Sequence, residues 1–487
     1  MGSRQVTPSS TDRPWKGRNI TVAGLGVSGL SAARALAGLG ASVTVVDGGD
    51  GEAQRARAAE LADLGIAVRL GDSATLPEGT DLVVTSPGWP PTAPLFAAAE
   101  AAGVDVVGDV EIAWRLRDLD GRVPAPWLAV TGTNGKTTTV QMLASILRAA
   151  GLRTTTVGNI GTPIIDVVTG EREYDVLAVE LSSYQLHWAP SVRAHSGAVL
   201  NLAPDHLDWH GSMDAYAADK GRIYEGNTVA CVYNVADPAT ERLVMDADVE
   251  EGCRAIGFTL GVPGPSMLGV VDDVLVDRAF VENRQKNAQE LAQVSDVNPP
   301  APHNIANALA AAGLARAFGV TPAAVREGLR DFTPDAHRIA HVADVAGVSY
   351  VDDSKATNTH ATEASLAAYD PIVWIAGGLA KGATFDELVR RSAKRLRGVV
   401  LMGADRALIR EALTRHAPEV PVVDLDRTDT GAMLAAVRHA AELAEPGDTV
   451  LLAPACASMD MFANYNERGD AFADAVRELA GEPGTRD

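Results

Sequence analysis

The sequence predicts an α/β protein of three domains in series, each built on a mostly parallel sheet. Three observations carry that expectation. Short β-branched runs alternate with stretches of helical periodicity along most of the chain, and parallel strands need such crossovers. Glycine-rich turns lead twice from an apolar run into a helical stretch, in "GLGVSG" and "TGTNGKTT". The chain has 487 residues, more than one hydrophobic core ordinarily serves.

Residues 1–17 read as a polar leader with Pro8 and Pro14, expected to be disordered and lacking the apolar core of a signal peptide. "NITVAGLGVSGLSAARALAGLGASVTVVD" then reads as strand, tight turn, helix and second strand. Apolar runs at 81–85 and 104–107 continue the alternation, giving a first domain over 18–122 closed by the linker-like "DLDGRVPAP". A second domain over 123–333 has strand candidates at 128–130, 175–179 and 198–200. Its helices fit "NGKTTTVQMLASILRAAG", "SMDAYAADKGRIYEG", "PHNIANALAAAGLARAFG" and "TPAAVREGLRDF", the last with Pro322 in its first turn. The stretch 228–300 holds short β-like runs that periodicity does not order. A third domain over 334–487 has strand candidates at 348–351, 372–376, 399–401, 422–424 and 449–453.

Composition narrows the function. With 63 acidic and 42 basic residues the net charge is -21, which disfavours broad contact with nucleic acid or anionic membrane but leaves room for a small anionic ligand. Cys231, Cys253 and Cys456 are far apart and lack metal-ligand spacing, so neither a disulfide framework nor a structural zinc site is indicated. No run reaches the roughly 20 apolar residues that span a bilayer. A soluble cytoplasmic protein is expected.

In "GLGVSG", Gly24, Gly26 and Gly29 permit a tight turn and close approach of phosphate oxygens to a helix N-terminus, and Asp47 ends the next strand where it could accept bonds from a ribose. A turn that merely packs the domain is the alternative. "TGTNGKTT" is more specific: backbone amides of Gly132, Thr133, Asn134 and Gly135 can cradle phosphates, Lys136 can reach the outer ones, and Thr137 can ligate magnesium. It is a variant loop, because Val130 stands where the common formula has its first glycine.

Glu180 closes the apolar run "DVLAV", where a carboxylate can face a ligand crevice and hold a metal ion or simply cap a helix. "NLAPDHLDWH" offers Asp205, His206, Asp208 and His210. Leu207 stands where a zinc-protease motif needs glutamate, so magnesium or manganese with one assisting imidazole fits better, the other histidine being free to serve the structure. Lys220 falls on the apolar face of its helix, between Tyr216 and Tyr224; its amine must either snorkel to water or lose its charge.

Taken in order, "TGTNGKTT", "GNIGTP", "ELSSYQL", "NLAPDHLDWH", "DKGRIYE", "PHNIANALAA", "HR", "DDSKATN" and "APACASMDMF" resemble the motifs of the Mur ligases of bacterial peptidoglycan synthesis. The resemblance implies a Rossmann-like N-terminal domain for a uridine nucleotide, a central P-loop-type ATPase domain and a C-terminal Rossmann-like domain that receives an amino acid. It implies ATP-dependent joining of D-glutamate to UDP-N-acetylmuramoyl-L-alanine by a monomer, with another step of the family or a folate-type acceptor as the nearest alternatives. An NAD-dependent oxidoreductase built on "GLGVSG" would leave Lys136 and the acid-histidine-lysine set without work.

Residue by residue, the resemblance makes Lys136, Glu180, His206 and Lys220 the catalytic set. Thr137, Glu180, His206 and Lys220, the last as a carbamate, hold two divalent cations, Mg2+ or Mn2+. Thr138, Asn304, Arg338 and Asp353 join the phosphate loop around ATP. Gly26, Val27, Ser28, Asp47, Ser86, Gly88, Asn159 and Ser182 fall to the UDP-substrate. Lys355, Thr357, Lys381, Ser458 and Tyr465 fall to D-glutamate, Tyr465 standing where phenylalanine is common.

Overall fold

A computed structural model of the chain describes residues 15–481 apart from 428 and 430. Among these residues three sheets form. The first holds β1 (Asn19–Ala23), β2 (Ser42–Asp47), β3 (Ala67–Leu70), β4 (Leu82–Thr85) and β5 (Val106–Gly108), parallel throughout in the order β3-β2-β1-β4-β5. The strand order reverses beside β1, so the crevice between the ends of β1 and β4 is where such a sheet binds ligands.

The central sheet contains β6 (Trp127–Thr131), β7 (Thr156–Gly158), β8 (Leu177–Glu180), β9 (Ser196–Val199), β10 (Ala230–Asn234), β11 (Arg254–Phe258), β12 (Met267–Val271), β13 (Val274–Asp277) and β14 (Gln289–Gln293). Its order is β14-β13-β12-β11-β10-β9-β6-β8-β7. Every residue of β6 is buried, as expected of a strand covered on both faces. The helix Lys136–Ala149 buries Val140, Leu143 and Ile146, and Gly328 of the helix Pro322–Arg330 crosses it so closely that a Cβ would stand 2.3 Å from Ile146 Cα.

The region without legible order, 228–300, extends this sheet. β10 and β11 are parallel and linked by the helix Pro238–Asp246, whereas β12 to β14 form an antiparallel meander. The third sheet comprises β15 (Ala340–Val345), β16 (Val348–Asp352), β17 (Ile372–Gly377), β18 (Leu396–Met402), β19 (Val422–Asp424) and β20 (Thr449–Leu452), ordered β15-β16-β20-β17-β18-β19. β15 was not foreseen. It is antiparallel to β16 through a turn at Ala346 and Gly347, both at positive φ, and none of its residues is fully buried, so it carries no apolar run.

Residues 1–14 of the expected leader lie outside the described residues. Its last part departs from the expectation: Trp15 is buried against the first core, in one cluster with Ile20, Leu36 and Val43. Two compact units result, one running to Asp296 and including Ala306–Asp331, the other formed by Val297–Ile305 and the chain from Phe332. Among the described residues no helix is long and apolar enough to cross a membrane.

Candidate active site

β6 delivers the chain into the loop 132–135. Gly132 has φ 154° and Gly135 φ 84°, and a Cβ at Gly135 would meet Asn307 Oδ1 at 2.5 Å, so the tight turn excludes a side chain there. Gly135 is also the N-cap of the helix Lys136–Ala149 and has no side-chain cap, leaving amide donors and the positive end of the helix dipole for an anion. Asn201, just beyond β9, fixes the loop: its Oδ1 accepts from Asn134 N at 2.9 Å and its Nδ2 donates to the Asn134 carbonyl at 3.1 Å. Thr137 is partly exposed in the first helical turn and Thr138 is buried.

Two lysines converge on this loop. Lys136 Nζ donates to the carbonyls of Gly132 and Thr133, both at 2.9 Å. Lys220 Nζ donates to the same Gly132 carbonyl at 2.8 Å and lies 4.7 Å from the centroid of the Tyr216 ring. Lys220 is 1% exposed, which decides the question its helix position left open: the amine does not snorkel to water. Burial, reinforced by the charge of Lys136, holds it well below the usual lysine range. Among the described residues it has no carboxylate within ion-pairing distance.

Glu180, at the end of β8, is 1% exposed. Its Oε1 accepts from Asn159 Nδ2 at 2.9 Å, and its Oε2 is buried without a hydrogen-bond partner. Asn159 therefore sits as the partner of this carboxylate. Gly158 makes the approach possible, since a Cβ there would stand 2.1 Å from the Glu180 carbonyl oxygen.

The two histidines of "DHLDWH" divide clearly. His210 is locked: Nδ1 is 2.9 Å from Asp219 Oδ2 and Nε2 is 2.9 Å from Ser183 Oγ. His206 caps the short helix Leu207–His210 at φ 54°, with its ring half exposed beside Tyr184 at 4.9 Å between centroids. Partial burial pushes its pKa down against the pull of Asp205, favouring a neutral imidazole with a free lone pair. Asp219, which also lies 2.9 Å from His187 Nδ1, is the organising carboxylate that sequence reasoning missed. Nothing in the local pattern marks its hold on the histidines, because they lie nine and 32 positions away.

Among the described residues no group of three or more histidine, cysteine, aspartate or glutamate side chains is arranged to hold a metal ion. The donor set is instead one acid with an unmatched buried oxygen, one neutral imidazole and one hydroxyl. It suits a hard cation that takes its remaining ligands from substrate phosphates and a further oxygen group.

In the first domain Gly24 (φ 101°) turns the chain, and Gly29 packs where a Cβ would stand 1.9 Å from the Gly24 carbonyl oxygen. Gly26 is the uncapped N-cap of the helix Val27–Gly38 and has open space at its Cβ position, as does Gly88. Val27 is exposed, and Ser28 and Ser86 are partly exposed as residues. Asp47 closes the turn, its oxygens accepting from Leu25 N at 2.6 Å and Gly49 N at 2.8 Å. Ser182 forms a capping box with Gln185.

The second unit builds its own cluster. Asp353 is buried, accepts from Ser365 Oγ, and is raised by burial to about 6. Lys355 Nζ stands 3.8 Å over the Tyr465 ring; Ser458 is buried, Thr357 is partly exposed and Lys381 exposed. Arg338 is partly exposed beside His337. Asn304 is buried in the first turn of the helix Pro302–Ala317. Arg468, unmarked by any motif, is 1% exposed and gathers three segments: it donates to Ser354 Oγ at 3.0 Å, the Ser354 carbonyl at 2.7 Å and the Cys456 carbonyl at 3.0 Å. Ser354 Oγ in turn donates to the Tyr465 carbonyl at 2.7 Å.

His337 pairs with Asp352 at 2.6 Å, with Asp470 3.4 Å from its other nitrogen. The hydrogen bond to Asp352 raises its pKa above the ordinary value. A raised folded pKa gives stability that is complete below about pH 6.5, the unfolded value, and is lost as pH rises through the folded one. Replacing His337 by Asn, which tolerates its φ of 64°, should lower the apparent melting temperature most near pH 6, by the equivalent of about 1 kcal/mol. The gap should narrow by pH 9 in a thermal-shift series.

These features define a phosphate-loop protein of three α/β domains. Family models for the Mur ligase middle domain (residues 130–315), the Mur ligase glutamate ligase domain (337–456) and the Mur ligase MurD-like N-terminal domain (18–108) match the chain, which belongs to the Mur ligase family. It is 82% identical to UDP-N-acetylmuramoylalanine--D-glutamate ligase of Streptomyces coelicolor over 96% of this chain and 99% of that one. It is 61% identical to the protein of the same name from Thermobifida fusca, again over 96% and 99%. Among solved structures, a pseudomurein peptide ligase type C from Methanothermus fervidus shares the fold at TM-score 0.57 and 18% identity, covering 95% of this chain and 100% of that one. UDP-N-acetylmuramate-alanine ligase MurC from Thermotoga maritima does so at 0.52 and 18%, covering 95% and 99%.

Proposed function

We infer that the chain joins D-glutamate to UDP-N-acetylmuramoyl-L-alanine at the expense of ATP, as a cytoplasmic monomer in peptidoglycan synthesis. The observation that carries the substrate assignment is identity of 82%, 79% and 61% to ligases of that name along almost the whole chain. The geometry supports the chemistry. The substrate's terminal carboxylate attacks the γ-phosphorus of ATP, giving an acyl phosphate and ADP; the amine of D-glutamate then attacks the carbonyl and expels phosphate. Lys136 leaves the Gly132 and Thr133 carbonyls to follow the transferring phosphoryl group, whose charge it offsets.

Thr137, Glu180, His206 and Lys220 would hold the Mg2+ or Mn2+ ions typical of the family, and the unmatched Glu180 Oε2 fits that role. When bound, such ions neutralise charge on the β- and γ-phosphates. Lys220 enters this set as a carbamate: its neutral amine adds to carbon dioxide, a proton leaves, and the new carboxylate supplies the missing oxygen donor. Ser86, Gly88 and the Gly24–Gly29 turn receive the UDP-substrate, with Val27 and Ser28 at the helix start. The loop 132–138 receives ATP. Lys355, Thr357, Lys381, Ser458 and Tyr465 receive D-glutamate.

The test is phosphate release from ATP with UDP-N-acetylmuramoyl-L-alanine and magnesium, comparing D-glutamate with L-glutamate, L-lysine and meso-diaminopimelate, with the product weighed by mass spectrometry. Turnover with D-glutamate alone is expected. Turnover with another amino acid moves the step, and silence from folded protein overturns the reading.

A further inference from the structure

The loop 86–91 after β4 rims the glycine turn of the first domain. Ser86 Oγ is buried there without a hydrogen-bond partner, and a Cβ at Gly24 would come within 2.8 Å of that oxygen and 3.0 Å of Trp89 Nε1, so turn and loop are in direct contact. Trp89 packs on Phe96, with centroids 5.7 Å apart, and Phe96 on Trp188 at 5.3 Å. From the central domain, Trp209 donates its indole N–H to the Trp89 carbonyl at 3.2 Å. The Trp209 ring lies 4.7 Å from Tyr184, which also neighbours the rings of His206 at 4.9 Å and His210 at 5.5 Å. The chemistry assigned above leaves Trp209 without a task.

We propose that Trp209 is a positioning residue: its indole N–H fixes the loop that carries Ser86 and so shapes the pocket for the UDP end of the substrate, from the same segment that carries His206. The proposal rests on the functional reading above. It uses one donor and one carbonyl, and a phenylalanine removes the N–H while keeping a smaller aromatic ring in the same place.

The experiment is calorimetric binding of UDP-N-acetylmuramoyl-L-alanine without ATP, alongside steady-state kinetics, for the full chain and Trp209→Phe. Binding should weaken about tenfold and KM for that substrate should rise in parallel, while KM for ATP and kcat stay within about twofold. Ser86→Ala should cost less in the Trp209→Phe background than in the unaltered chain. Unchanged binding, additive effects of the two substitutions, or an equal loss for all substrates with a lowered melting temperature would each overturn the proposal. If the unaltered chain binds the UDP-substrate but shows no D-glutamate-dependent turnover, the functional reading fails while the binding comparison still decides the role of Trp209.

Discussion

Lys220→Ala is expected to fold and to lose about a thousandfold or more in kcat, with part of the activity returned by acetate. Folding should survive because the amine contributes little to stability where it stands. It is buried, shares the Gly132 carbonyl with Lys136, and has no ion-pairing carboxylate among the described residues, so removing it breaks no ion pair and leaves that carbonyl still bonded to Lys136. Activity should collapse because the alanine variant has no group to become a carboxylate at this position, and Glu180 and His206 alone do not complete an oxygen-rich set. Acetate can enter the space vacated by the side chain and supply the missing oxygens without covalent attachment. The readout is phosphate release across an acetate titration, with circular dichroism to confirm the fold. Near-normal turnover in the unsupplemented variant removes the carbamate from the mechanism.

Much of this arrangement was legible in the sequence, and the boundary of what was legible has a physical cause. The alternation of runs marked the parallel strands, and the two glycine turns marked the strand-to-helix junctions after β1 and β6, because both signals are local. The helical period correctly placed Lys220 on a buried face. Periodicity could not choose between His206 and His210, since the choice depends on Asp219 and Ser183 closing on His210 across nine and 27 positions. Arg468 was invisible for the same reason: its partner Ser354 is 114 residues away. Asn159 was matched to a sugar nucleotide by motif; its amide bond to Glu180, 21 positions away, left no local signal. β15 escaped because an edge strand with no fully buried residue leaves no apolar run to read.

Lys136→Ala should likewise keep the fold and reduce ATP-dependent turnover by about a thousandfold, but its effect should extend beyond phosphate contact. In the resting loop Lys136 bonds to two carbonyls of its own turn, and Asn201 holds that turn independently, so the cradle should persist without it. The charge of Lys136 is also, after burial, a principal reason that the Lys220 pKa is held low. Removing it lets the Lys220 pKa rise, which enlarges the protonated fraction and lowers the fraction free to add carbon dioxide. The two lysines should therefore be non-additive: Lys136→Ala with Lys220→Ala should cost much less than the product of the single losses. Carbon-13 NMR of protein equilibrated with labelled bicarbonate separates the two effects. A carbamate signal smaller in Lys136→Ala than in the unaltered chain at equal pH supports the electrostatic link, whereas an undiminished signal with lost turnover confines Lys136 to the phosphates. Lys136→Arg keeps the charge but replaces a compact ammonium by a bulkier planar fork that does not fit the same turn, so it should preserve the carbamate while still impairing phosphoryl transfer.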